Sequence, residues 1–583
     1  MTHSSGRNQI SFQLVTMDRD DDDFGEGFIA ESHPLRPTQL SVPGGRDESR
    51  APSISSSVSD LDAPIYARET AVPLSSSKSK EEIQDQPSTP TALAPSSKTP
   101  ADKDVGLNSH LLFAIIAGAL GSAFQHGYNT GVVNSPQVII EQWIGDLKAN
   151  ESNATYDKDT SPPELKNYVT MVWSIVVAIF CLGGMIGGSL VGTFADKFGR
   201  KGSLLVVNIL VALAAILEGF ARTWGSWHML VVGRLIIGIN SGLNAGLAPM
   251  YLAEISPTHL RGAIGTVYQL IITISILVAQ IISMNSLLGT VNTWPLLLAL
   301  TLVPAIFQCI TLPICPESPK YLLLSKGKDV DAQKALQWLR STSDVYEEME
   351  DMRSEYESVK HIPKVTLREM LVNPALRIPI IIAVMVMLAQ QLSGINAVMF
   401  FSTKIFSMAK LNQGQAELAT IGVGVVNVLM TLVSLLLVEK FGRKTLLLFG
   451  FGGMVIDTAL LTLALTFADS SPIIAIFAII FVIMFVVLFA TGPGSIPWFL
   501  VSELFNQSAR PVATSISIAI NWAANFIVSI AFLPLQQLMN TNVFIIFVIL
   551  QAGFTLFIYK KVPETKNKTI EEISSLFRQR SYQ

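Results

Sequence analysis

Charge is scarce in this chain. Asp, Glu, Lys and Arg make up 15% of 583 residues, where soluble domains carry about 25%. The scarcity is uneven, because residues 1–105 hold 27 of the 86 charged side chains. The remaining 478 residues are therefore only about 12% charged, too few to cover a set of soluble domains. Cysteine is also sparse. Cys181, Cys309 and Cys315 lie in or beside apolar runs, and no Cys-x-x-Cys or paired-His spacing accompanies them. That argues against a disulfide framework or a metal centre, and no cofactor is implied. Nor is there a basic excess: the net charge is −4, with −7 in residues 1–105 and about +3 beyond. The electrostatic footprint of a nucleic-acid binder is missing. No apolar run precedes residue 109, so a cleavable signal peptide is not expected.

What the chain does have is apolar length. Half of its residues are hydrophobic and the mean hydropathy is +0.44. Runs of roughly 20 residues, enough to cross a hydrocarbon core as helices, fall at 110–132, 170–193, 202–222, 228–250, 263–285, 295–315, 378–404, 417–438, 445–467, 472–499, 512–534 and 540–560. The expected fold is an all-α membrane protein of twelve transmembrane helices in two six-helix halves, 106–315 and 378–560. The 316–377 segment mixes Glu, Lys and Arg at helical spacing and reads as cytoplasmic linker helices. Residues 1–105 hold 18 Ser and 10 Pro and an acidic run, Asp20–Asp23. They read as a disordered cytoplasmic tail, a solvated segment or a docking site for cytoplasmic partners. Residues 561–583 form a second, short tail.

Loop chemistry orients the helices. Lys and Arg cluster at Asp196–Lys201, His259–Arg261, Glu439–Lys444 and Arg510, which marks those loops as cytoplasmic. The 133–169 connection has six acids against three lysines and two glycosylation sequons, at Asn150 and Asn153. Both signs place it outside and both termini inside. Sequons at Asn506 and Asn567 fall on the cytoplasmic side and are expected to be inert.

The halves repeat. Asp196-Lys197-Phe198-Gly199-Arg200-Lys201 returns 243 residues later as Glu439-Lys440-Phe441-Gly442-Arg443-Lys444. Glu254 and Arg261 return as Glu503 and Arg510 with the same spacing of seven. Two matches at nearly one offset imply duplicated bundles. Arg200, Glu254, Arg261, Glu439, Arg443, Glu503 and Arg510 all fall at cytoplasmic helix ends, where acids and arginines of opposite halves could pair as a gate. The plainer alternative is that they only orient the chain.

These loops, with Gly127-Tyr128-Asn129-Thr130-Gly131-Val132, Gln390-Gln391-Leu392-Ser393-Gly394-Ile395-Asn396, Gly492-Pro493-Gly494-Ser495-Ile496-Pro497-Trp498 and Pro563-Glu564-Thr565-Lys566, resemble the sugar porter branch of the major facilitator superfamily. Within it they are similar to the animal facilitative glucose transporters. The resemblance covers about residues 107–575. It implies the major facilitator fold, no enzymatic activity, and uniport of a neutral hexose, D-glucose first, across the plasma membrane by alternating access.

The polar residues inside the helices fit that implication. Gln269, Gln390, Gln391, Asn396, Asn427, Asn521 and Asn525 are all amides, which both donate and accept hydrogen bonds as sugar hydroxyls do. On a straight helix Gln391 and Asn396 lie about 140° apart, so they converge only if the helix breaks near Ser393-Gly394. Gly492-Pro493-Gly494 and Pro497 interrupt the tenth helix similarly, and Trp498 follows as a flat surface for a sugar ring. Each amide alone reads equally as interhelical glue. By resemblance, Gln269, Gln390, Gln391, Asn396, Asn427, Trp498 and Asn521 match positions that contact hexose; Asn525 reads as structural.

Several residues depart from the family pattern. Asn129 stands where proton-coupled porters carry Asp, so the expected coupling group is absent. Ala490-Thr491 replaces a glutamate two residues before Gly492, Met399-Phe400-Phe401 replaces a Tyr-rich run, and Lys320 replaces an arginine. Glu218 is expected to reach the membrane interface. Asp457 reads as protonated, paired or part of a proton path. A proton–sugar symporter, or a sugar sensor that binds without transporting, remain the alternative functions.

Overall fold

The computed structural model describes residues 106–581 apart from 152–154, 159, 361–364 and 507. The N-terminal tail and the Asn153 sequon lie outside the described residues. Among the described residues, eleven helical stretches are long and apolar enough to cross a membrane. Ten of them are α1 (Ser109–Gly131), α2 (Pro163–Phe198), α3 (Arg200–Phe220), α4 (Trp227–Ile255), α5 (Thr258–Ile282), α6 (Trp294–Ile314), α7 (Pro374–Met408), α8 (Gln413–Lys440), α9 (Arg443–Thr466) and α10 (Ile473–Leu504). The eleventh, Arg510–Lys561, is 52 residues long and divides at a 3₁₀ turn, Asn540–Asn542. It supplies α11 (Arg510–Met539) and α12 (Val543–Lys561), giving twelve crossings.

Some elements lie between the apolar runs. Gln137–Asn150 is a helix after α1, and Asn150 stands exposed at its end. The linker forms helices at Asp329–Arg340, Tyr346–Lys360 and Leu367–Val372. A last helix, Ile570–Ser581, packs on α7 and buries Ile573 and Phe577.

In lipid there is little hydrophobic force between helices, so close packing needs small side chains. The α2–α4 crossing meets that need with Gly183 and Gly187 on one helix and Gly238 and Gly242 on the other. A Cβ on Gly187 would sit 2.1 Å from the Ile239 carbonyl, and one on Gly242 2.1 Å from the Gly184 carbonyl. Both obstacles are backbone and cannot swing aside. Gly242→Val is therefore expected to abolish recovery of folded protein, whereas Gly192→Ala, with nothing within 4 Å of its Cβ, is expected to be neutral. Monodispersity in detergent distinguishes the two.

The face that carries the Asp196–Lys201 and Glu439–Lys444 loops is called the basic face below. Opposite it, the two halves are tied together. Asn134, just beyond α1, donates to the Met399 carbonyl at 2.8 Å and to Ser402 Oγ at 2.6 Å, and accepts from the Thr403 amide at 3.1 Å. Toward the basic face the contact runs out. Along one stripe of α2, a Cβ on Gly184 would meet the Trp522 ring at 2.6 Å, one on Gly188 would meet Ile518 at 3.4 Å, and one on Gly192 would meet nothing within 4 Å. The halves separate toward the basic face.

Candidate functional site

Two helices break at the centre of the second half, and the breaks build a site. In α7 the regular helix stops at Leu392, Gly394 adopts φ +98°, and a second segment starts at Ile395. Only glycine takes that backbone conformation without strain. Two residues of α12 hold the break: Gln551 Nε2 donates to the Ser393 carbonyl at 2.7 Å, and the Phe547 ring lies 3.0 Å from where a Gly394 Cβ would be. In α10 the cause is proline. Pro497 has no N–H to give the Pro493 carbonyl, and the Trp498 N–H turns instead to the Ser495 carbonyl at 3.3 Å. The carbonyls of Pro493 and Gly494 are thus freed, and Gln390 Nε2 donates to both, at 3.0 and 2.7 Å.

Around that anchor the amides join. Asn521 Nδ2 on α11 donates to Gln390 Oε1 at 2.7 Å, and Gln391 Nε2 donates to Asn521 Oδ1 at 3.0 Å. The break in α7 brings Asn396 Nδ2 onto Gln391 Oε1. Gln390, Gln391 and Asn521 are buried and Asn396 half-buried. All four are neutral, and so are their partners. The next residue, Trp522, packs on Gly184 of α2 and stacks on His126 of α1, with centroids 5.8 Å apart. The cluster thus lies where the halves meet.

Gln269, Asn427 and Trp498 are not bonded to this cluster. Gln269 is exposed on α5, Asn427 half-buried on α8, and Trp498 is 43% exposed. Asn525, set apart as structural, accepts from Ser529 Oγ at 3.2 Å.

A second amide network, unremarked in the sequence, lies wholly inside the first half. Gln125 donates to Asn208 Oδ1 at 2.9 Å and accepts from Asn240 at 2.8 Å and Asn244 at 3.2 Å, while Asn208 donates to Gln308 at 3.0 Å. All five are buried and join α1, α3, α4 and α6. The only interruption beside it is at Val207, next to Asn208, where the backbone stays right-handed and neither glycine nor proline frees a carbonyl, and the network reads as glue. Its sequence signal, amides within apolar runs, was the same as that of the site; the discriminator is the glycine and proline breakers that open α7 and α10 and are missing beside Asn208.

At the basic face the repeated charges pair within each half, not across halves as a gate would require. Arg200 forks onto Glu254 at 2.8 and 2.9 Å in the first half, and Arg443 pairs with Glu503 at 3.0 Å in the second. Each pair has a third and fourth member that the gate residues did not include. Glu317 accepts the amides of Arg200 and Lys201, both at 2.9 Å, and Ser318 donates to Glu254. Glu564 accepts those of Arg443 and Lys444 at 2.8 and 3.1 Å, and Thr565 donates to Glu503. The repeat of Pro316-Glu317-Ser318 as Pro563-Glu564-Thr565 was the available signal. Glu439 is exposed; Arg510 donates to the Phe505 carbonyl at 3.2 Å, and the Nε of Arg261 has no partner among the described residues. With the halves apart on this face, cross-half pairing is out of reach in this conformation.

Glu218 corrects another expectation. It does not reach the interface but is fully buried in α3, its Cγ 2.6 Å from where a Gly233 Cβ would lie. Arg234, equally buried on α4, is the opposite charge that acts on it through space. No hydrogen bond or ion pair joins the two, and both Glu218 carboxylate oxygens are without a partner among the described residues. Arg234 also covers the Phe180 ring at 4.7 Å and donates to the Asn129 carbonyl at 3.1 Å.

Residues 114–577 match the model of the sugar (and other) transporter family. The chain belongs to that family. It is 46% identical to the facilitated glucose transporter member 1 of Gallus gallus over 473 residues, covering 81% of this chain and 94% of the relative. It is 45% identical to member 3 of Bos taurus, covering 80% and 92%. Among solved structures, the inward-open xylose transporter XylE from E. coli aligns with TM-score 0.66 at 26% identity, covering 80% of this chain and 99% of that one. The partially occluded inward-open form of XylE gives 0.64 at 27% identity, covering 79% and 100%. The transporter thus has the twelve-helix major facilitator fold, and its function is sugar transport without covalent chemistry.

Proposed function

We propose that the protein moves a neutral hexose, D-glucose first, down its gradient across the plasma membrane by alternating access. The observation that carries this reading is the uncharged cradle of Gln390, Gln391, Asn396 and Asn521, set at two broken helices between the halves. A cradle of amides suits hydroxyl groups and offers no counter-charge for an ionic substrate. Gln269, Asn427 and Trp498 complete the site as the halves rock together. With both termini cytoplasmic, the conformation is the inward-facing one. Arg200, Arg261, Arg443 and Arg510 with Glu254, Glu439 and Glu503 then close the cytoplasmic side only in the outward-facing state. Asn150 is the glycosylation site on the outer loop.

Uptake of labelled glucose into proteoliposomes, with and without an imposed proton gradient, tests the uniport. Equal final levels inside and outside are expected in both conditions. Uphill accumulation would instead establish symport, for which the buried acids Glu218 and Asp457 are the specific reason to look. Ala490 occupies the position before Thr491 where a family glutamate would accept a sugar hydroxyl, and it is buried. Ala490→Glu is expected to tighten glucose half-saturation on the order of tenfold, the worth of one hydrogen bond to a charged acceptor. Competition by a panel of hexoses reads the change, and an unaltered order and affinity would remove Ala490 from the site.

A further inference from the structure

The basic rim of the second half carries more cation than the fold uses. Lys440 ends α8, Lys444 lies in the first turn of α9, Lys560 and Lys561 end α12, and Lys566 and Lys568 follow. Among the described residues, none of the six forms an ion pair. Lys444 Nζ donates to the Tyr559 carbonyl at 2.8 Å and stands 5.7 Å from the centre of the Tyr559 ring. Lys566 Nζ reaches the Lys440 carbonyl at 2.7 Å. Lys560 and Lys561 are exposed.

Directly above this rim, α9 and α12 leave an apolar groove of about 450 Å³, lined by Leu448, Gly452 and Val455 on one helix and Ala552, Thr555, Leu556 and Tyr559 on the other. Each set follows the i, i+3 or i+4, i+7 stripe of a helix face, and Lys444 is the next residue of the α9 stripe toward the rim. Gly452 and Ala552 keep the groove hollow; a Cβ on Gly452 would find only Thr555, at 4.0 Å. Seven residues at 1.5 Å each make the open groove about 10 Å long along the helices, roughly two thirds of one leaflet's hydrocarbon.

The first half supplies an internal control. Lys201 is the repeat of Lys444 and likewise caps carbonyls, those of Pro313 and Cys315. Aligning Pro316 with Pro563, however, places Leu312, Pro313 and Ile314 where the second half has Tyr559, Lys560 and Lys561. Neither the fold nor membrane orientation demands the extra lysines and the aromatic ring.

We propose that the α9–α12 groove is a binding site for an anionic glycerophospholipid, with an acyl chain in the slot and the phosphate held by Lys444, Lys560 and Lys561. Basic pockets between helices on the cytoplasmic side select anionic headgroups by charge, and the slot opening onto the bilayer makes a lipid, rather than free phosphate, the occupant. Because Glu564 accepts the Lys444 amide, a bound headgroup would stiffen the clamp that joins α9 to the end of α12. The inference rests on the transport reading only for the leaflet that supplies the lipid.

The test uses purified full-length protein equilibrated in micelles with equal phosphatidylglycerol and phosphatidylcholine, followed by quantitation of retained lipid. The wild type is expected to enrich phosphatidylglycerol. The Lys560→Gln/Lys561→Gln double variant is expected to lose that enrichment on the order of tenfold, since each lysine beside an anionic surface contributes about fivefold. Ala552→Leu, which fills the slot, should lower retention too, while millimolar inorganic phosphate should not compete. Unchanged enrichment in the lysine variant, or phosphate competing as well as the lipid, would overturn the proposal. Should Ala552→Leu fail to fold, the lysine variant still decides. Glucose uptake in phosphatidylcholine vesicles, unchanged in that variant, keeps a failure of the transport reading separate from a failure of this one.

Discussion

Gln391→Ala is expected to lower kcat/KM for glucose uptake on the order of 10- to 100-fold while the protein stays folded. Gln391 connects three of the four cradle amides: it donates to Asn521 Oδ1 at 3.0 Å and accepts from Asn396 Nδ2. Truncation removes one proposed sugar contact and leaves two polar atoms without their partner, Asn521 Oδ1 buried and Asn396 Nδ2 half-buried. Each orphaned group costs about 1–3 kcal/mol, and 1.4 kcal/mol is a factor of ten. The global fold should survive, because Gln390 remains anchored on the Pro493 and Gly494 carbonyls and Gln551 still holds the α7 break. Initial uptake rates, together with the thermal midpoint in detergent, give the answer. Wild-type uptake in Gln391→Ala would reduce the cradle to interhelical glue and remove the hexose reading.

The second large effect concerns the Glu218–Arg234 pair. Glu218 and Arg234 are both wholly buried in the membrane-spanning bundle on adjacent helices without a direct ion pair, and each is the nearest opposite charge whose field offsets the burial of the other. Neutralising one leaves the buried charge of the other without its offsetting field, whereas replacing both removes both desolvation costs. Glu218→Gln and Arg234→Gln are each expected to lower the thermal midpoint sharply. The double variant should recover most of that loss. Arg234 also holds the Asn129 carbonyl at the end of α1 away from the basic face, so the double variant should regain stability more completely than uptake. If the single losses simply add in the double variant, the two groups are not coupled.

Much of the architecture was legible along the chain because lipid imposes a one-dimensional constraint. Every backbone polar group in the hydrocarbon must be satisfied within its own helix, so apolar length alone located the twelve crossings to within a few residues in most cases. The duplicated loops were equally legible, since Arg200 and Arg443 recur with their neighbours. Pairing was not. The sequence puts Arg200, Glu254 and Glu317 far apart, and nothing in one dimension says whether an arginine reaches an acid of its own half or of the other.

The site divides the same way. Residue types and helix breakers sufficed to suggest amides around a kinked α7 and α10. Amide composition alone did not separate the cradle from the Gln125 network, because both consist of buried carboxamides in apolar helices. Glu218 was misplaced for the same reason: its position near a helix end permits either snorkelling or burial, and only the packing of α3 against Gly233 on α4 decided for burial. What the sequence determined by itself, then, was number, length, duplication and uncharged chemistry, all set by local interactions with the lipid. Which side chains meet, and on which face the halves part, was decided by tertiary packing, since those contacts join residues of different helices, 54 positions apart for Arg200 and Glu254 and 130 for Gln391 and Asn521.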